Sequence, residues 1–86
     1  MDIPINDDWS QEEVVAVAQF FDTVERAYEE GVKGETLLAF YREFKAIVPS
    51  KAEEKQLFRQ VDKQTGHSCF KAIKAAQSES KKTIKL

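Results

Sequence analysis

The side chains that could act chemically are few, and their spacing narrows what they could do. Lys51, Lys55, Arg59 and Lys63 recur every fourth residue, which on a helix sets them along one slowly rotating stripe. Like charges at that spacing repel by about 0.2–0.5 kcal/mol per pair, so the stripe costs a little stability. It could bind an anion, either nucleic-acid phosphates or an acidic partner, with Lys71, Lys74, Lys81, Lys82 and Lys85 in support. Its plainer reading is a solvated face that complements acid elsewhere in the fold. Glu54 lies among the apolar positions of the same helix. A carboxylate there needs a cationic or tyrosyl partner, or a place at the domain edge. The edge is favoured, because Glu54 is one turn from the helix start.

Two further groupings suggest chemistry less well. His67-Ser68-Cys69 pairs an imidazole with a thiol, but neighbours at a helix start seldom face each other, and no third group orients them. Cys69 reads better as a small packed hydrophobe. Asp7, Asp8, Glu12 and Glu13 match no calcium-loop pattern and suit the positive end of a helix dipole. One cysteine forms no intramolecular disulfide, and with one histidine it completes no tetrahedral metal site. No nucleophile, base and stabiliser come together, so the expectation is a protein that is not an enzyme and uses no cofactor and no metal.

The elements that carry these residues are helices. Ser10-Gln11-Glu12-Glu13 has the capping-box form, with Trp9 and Val14 placed as a hydrophobic staple. Val14, Val17, Phe21, Val24 and Tyr28 then step by three and four, predicting a helix over about 11–30 that ends in a left-handed cap at Gly31. Leu37, Leu38, Phe40, Tyr41, Phe44 and Ile47 give a broad apolar helix over 35–47, closed by Pro49. Its start at Lys33-Gly34 is poorly signalled. Ser50-Lys51-Ala52-Glu53 opens a third helix over 51–65, apolar at Leu57, Phe58 and Val61, which Gly66 ends. Ser68 caps a fourth over 69–78 with Phe70, Ile73 and Ala76 facing inward. These predict an all-α, compact four-helix domain over 1–78 and a frayed, flexible Ser/Lys-rich tail over 79–86.

Eighty-six residues make one domain. Nothing approaches the ~20 apolar residues of a membrane span, and no export signal is visible, so a cytoplasmic address is expected. The net charge of −2 hides an asymmetry: eleven acids against three bases in 1–44, and ten bases against four acids in 45–86. Either the halves attract within the fold, or one face is offered to a charged partner.

The sequence also resembles a known family. Pro4, Asp8-Trp9-Ser10-Gln11-Glu12-Glu13, and Phe21 through Val24-Glu25 to Ala27-Tyr28-Glu29 and Gly31 match its first half. Tyr41-Arg42-Glu43-Phe44-Lys45 and Val48-Pro49-Ser50-Lys51-Ala52-Glu53-Glu54-Lys55 match its most distinctive segment, and Gly66, Ser68 and Ile73 fit its C-terminal part. The family is uncharacterised protein family 0223, of low-GC Gram-positive bacteria. The resemblance covers nearly the whole chain and implies a compact four-helix cytoplasmic protein. It implies no activity.

Phe20 lies off the main stripe of the first helix, and Phe40 points away from Leu38 on the second. Such rings usually become core, but surplus apolar surface here could bury a partner helix or a second copy. The expected function is therefore a non-enzymatic module that binds an unknown protein, or itself, through Phe20 and Phe40. Weak nucleic-acid or phosphate binding through Lys51, Lys55, Arg59 and Lys63 is the alternative.

Overall fold

The computed structural model describes residues 3–86. Helix α1 (Gln11–Glu29) starts as its sequence dictates: Ser10 Oγ accepts the Glu13 amide at 3.1 Å, and Glu13 Oε1 accepts the Ser10 amide at 2.8 Å. Its end is closed by the Glu30 and Gly31 amides, both donating to the Arg26 carbonyl, with Gly31 at φ 95°. Helix α3 (Lys51–Thr65) is capped by Ser50, whose Oγ accepts the Glu53 amide at 3.3 Å, and stops at Gly66 with φ 76°. Helix α4 (Cys69–Ser78) begins with Ser68 Oγ accepting the Lys71 amide at 3.1 Å.

Helix α2 (Gly34–Ile47) is the exception, for no side chain caps it at Lys33. Its first amides find their acceptors in the C-terminal segment: Gly34 N–H donates to the Lys82 carbonyl at 2.9 Å, and Glu35 N–H to the Ser80 carbonyl at 2.8 Å. Just before α2, β1 (Val32–Lys33) pairs antiparallel with β2 (Thr83–Ile84), in the register Val32↔Ile84 and Lys33↔Thr83. A Cβ on Gly34 would stand 2.8 Å from the Glu79 carbonyl oxygen and the Ser80 Cα, so glycine is what lets the two segments approach. The Leu86 amide also donates to the Ala27 carbonyl of α1 at 2.9 Å.

Segment 79–86, expected to fray, is thus bound to the body of the protein. Two needs explain this. Uncapped helix amides require acceptors, and Ile84 is buried, with 5% of its surface exposed. Among the described residues the architecture is otherwise the expected four helices, to which the short β1/β2 pairing is an addition.

Helix α2 packs against both α1 and α4, while the main backbone neighbour of α3 is α4. Four phenylalanines link all but α4 at the centre. Phe20 lies 4.9 Å from Phe44 and 5.9 Å from Phe58, ring centre to ring centre, and Phe21 lies 5.7 and 6.1 Å from the same two rings. Phe20 is completely buried, which removes it from any external surface. Val17, Phe20, Phe21, Thr23, Val24 and Ala27 are all buried on α1, an arc of about 160° at 100° per residue. A helix flanked on two sides buries a wider face than a single stripe. Phe40 is half-buried and packs on the same core.

Phe70 departs from expectation in the opposite direction. It was placed inward, yet 44% of it is exposed. The buried face of α4 is made by Cys69, Ala72, Ile73 and Ala76, and Phe70 lies about 110° from the middle of that face. Small residues there let α4 approach α2 closely, which turns Phe70 to the side facing α3.

Candidate functional site

That side chain completes an open surface groove. Phe70 stands edge-on to Phe58, ring centres 4.8 Å apart at 74°. Together they form the apolar part of an open groove between α3 and α4, about 630 Å³ in volume, also lined by Lys55, Arg59, Lys63 and Asp62. The three cations come from successive turns of α3, about 6 Å apart along its axis. Phe58 is buried and forms the floor, Phe70 forms a wall, and the cations are exposed along the rim.

Asp62 is already committed within the fold: its Oδ1 accepts the Cys69 amide at 3.0 Å, satisfying an otherwise open donor at the start of α4. The groove therefore offers three cations against one engaged carboxylate. Among the described residues no ion pair involves Lys51, Lys55, Arg59 or Lys63. Arg26, by contrast, lies 3.6 Å from Asp22 and 3.8 Å from Glu30 along its own helix.

Of the four stripe residues, the structure brings Lys55, Arg59 and Lys63 to the groove, and Lys51 lies outside its lining at the head of α3. Neither Phe20 nor Phe40 reaches it. Phe70 is the groove residue whose exposure sequence reasoning missed. Laying Cys69, Ala72, Ile73 and Ala76 on a helical wheel, with Cys69 as an inward position, would have found it.

Glu54 is buried and doubly partnered. Tyr41 Oη donates to its Oε2 at 2.7 Å, and Lys45 Nζ donates to its Oε1 at 2.8 Å. The position is interior, not the edge favoured from sequence. Both partners lie on α2 one turn apart, so the carboxylate clasps α3 to α2. Burial, together with the adjacent carboxylate, pushes the Tyr41 phenol up to about 12.

His67 and Cys69 do not work together. The imidazole lies flat on Tyr28, ring centres 4.2 Å apart at 3°, with Nδ1 at 3.2 Å from both carboxylate oxygens of Glu25. Tyr28 Oη in turn donates to the Ser68 carbonyl at 2.9 Å. Cys69 is buried, and desolvation first, then its hydrogen bond with Asp62, drives the thiol well above its ordinary range. A thiol so held is a poor nucleophile. Among the described residues no three His, Cys, Asp or Glu side chains converge as a metal site, and no helix is long and apolar enough to cross a membrane.

What the groove can do is bind: its cations suit an anionic chain and its exposed ring an apolar or planar group on that chain. Comparison with known proteins adds the lineage. The model of an uncharacterised protein family, UPF0223, matches residues 1–85. A UPF0223 protein of Staphylococcus saprophyticus is 51% identical over 75 residues, covering 87% of this chain and 82% of its own length. Similar proteins from Oceanobacillus iheyensis and Streptococcus agalactiae are each 43% identical over 83 residues, covering 96% of this chain and 94% and 89% of their own. The chain belongs to the UPF0223 family, a family without a characterised function.

Proposed function

We propose that this family member is a non-enzymatic, cytoplasmic interaction module that holds an acidic segment of a protein partner in the α3/α4 groove. One observation carries the reading: Phe70 is exposed beside Lys55, Arg59 and Lys63, none of which has an internal ion-pair partner among the described residues. An open ring beside unpaired cations offers an acidic segment both apolar and charged contacts at one place. The contact thus moves from the first two helices, where Phe20 is sealed inside, to the last two.

A protein segment suits the groove better than a nucleic acid because the chain carries net charge −2, which opposes a long polyanion. Single-stranded nucleic acid is the second reading, favoured by the same pairing of an exposed ring with a row of cations.

The test is a titration followed by NMR at the Phe70 ring, with an Asp/Glu-rich peptide containing one leucine and, separately, an oligothymidine. The peptide should shift the Phe70 resonances, and Lys55→Ser with Arg59→Ser should weaken it at least about tenfold, or 1.4 kcal/mol. Tighter binding of the oligothymidine, with a steep fall in affinity as salt rises, would select the second reading. If neither probe disturbs Phe70, the groove is not a binding site.

A further inference from the structure

Resting on the groove as the binding surface, we infer that one of its occupants is a second copy of this chain, docked head to tail through the acidic start of α1. The complementary surface is on the same molecule. Asp7, Asp8 and Glu12 are exposed, and among the described residues none of them forms an ion pair. Beside Glu12, Val15 is 49% exposed, bordering a depression with Gln11 and Glu12. Each surface thus joins three unpaired charges of one sign to one exposed apolar side chain: Val15 among the acids, Phe70 among the cations.

Among the described residues no ion pair joins the two within one molecule. The segment leading into α1 lies along α3 through Pro4, Ile5 and Trp9, which share a depression with Gln56, Leu57 and Gln60. On the wheel of α3 those three positions centre about 105° from Lys55, Arg59 and Lys63, with Lys63 the nearest of the cations. The acidic start and the groove therefore lie on different flanks of one helix. Such a contact is heterologous: each copy uses its groove on one neighbour and its acidic end on another, so assembly continues past two. One modest apolar contact flanked by exposed charges makes a weak, transient interface. Weak association that salt screens strongly follows.

Sedimentation of the full chain, with two surface variants, tests this. At low salt the mean mass of the wild type should climb with concentration beyond that of two copies, and at about 0.5 M salt it should return to one. Lys55→Ser/Arg59→Ser removes the groove side, and Asp8→Asn/Glu12→Gln removes the acidic side. Each variant alone should stay monomeric, whereas their equimolar mixture should form a dimer and nothing larger, since each supplies the half the other lacks. All four positions are exposed, and circular dichroism verifies that both variants stay folded. A wild type that remains monomeric near 1 mM at low salt, or a mixture with no dimer, overturns the head-to-tail contact. If the acidic peptide still moves Phe70 in that case, the groove retains its function and only the self-association fails.

Discussion

The interior around Phe20 and the groove around Phe70 share a ring. Phe58 lies 5.9 Å from Phe20 on one side and 4.8 Å from Phe70 on the other, yet Phe20 is wholly buried and Phe70 is 44% exposed. Hydrophobicity does not separate them. What differs is the number of elements that close around each. Phe20 meets rings from both α2 and α3, and further apolar side chains of α1 and α2 pack around it. Phe70 has α3 on one side only, and the next positions along the rim are Lys55, Arg59 and Lys63. An aromatic side chain whose remaining neighbours are cations has no apolar cover within its own chain.

The contrast can be broken most directly at its buried end. Phe20→Ala should cost about 3–5 kcal/mol in denaturant unfolding, the range for emptying a sealed aromatic site. A loss below about 0.5 kcal/mol would mean that Phe20 is a surface residue after all. Next in size is Ile84→Ala, expected to lower stability by about 2–4 kcal/mol and to speed hydrogen exchange at the Gly34 and Glu35 amides, which the C-terminal segment accepts. Unchanged exchange there would show that residues 79–86 do not cap α2.

Beside the buried interior, with Tyr41 against Phe20, sits the Tyr41–Glu54–Lys45 clasp, which pH should probe. The folded-state pKa of Tyr41 stands near 12, above the ~10 of an unfolded tyrosine. The neutral phenol is therefore favoured by folding, its contribution is complete below pH ~10, and it is lost as pH rises from about 10 to 12. Denaturant midpoints should fall across that window, and phenolate absorbance should show Tyr41 ionising late. Glu54→Gln, which removes the neighbouring charge, should bring Tyr41 back toward ~10. An absorbance titration that does not move in the variant would detach Tyr41 from Glu54.

At the open end the expected effects on stability are smaller. Phe70→Ala should cost about 1–2 kcal/mol while abolishing peptide binding, the reverse of Phe20→Ala in relative weight. Smallest of all, Lys55→Ser with Arg59→Ser should leave stability unchanged or raise it by about 0.2–0.5 kcal/mol for each like-charge pair relieved. A clear loss of stability in that double variant would place those cations in internal pairs and remove the argument that they await a partner.

Much of the fold is legible in local chemistry. Ser10, Ser50 and Ser68 mark three helix starts, Gly31 and Gly66 mark two stops, and Pro49 separates α2 from α3. Each acts on atoms within about one turn, so no knowledge of the remainder of the chain is needed. The stripe at Lys55, Arg59 and Lys63 is legible for the same reason, since helical geometry alone aligns residues four apart. The weak signal at Lys33-Gly34 was also informative: a helix start with no local cap must find acceptors elsewhere.

Tertiary structure decided what depends on the neighbours of a helix and not on the helix itself. Whether Phe20 or Phe70 is covered, and whether Glu54 meets Tyr41 and Lys45 or water, turns on contacts between residues distant in sequence or on different helices. The C-terminal segment is the clearest case. Its Lys82 and Ser80 carbonyls reach α2 across more than forty residues of chain, a distance over which local periodicity carries no information, and only the packing of the helices brings the two ends together.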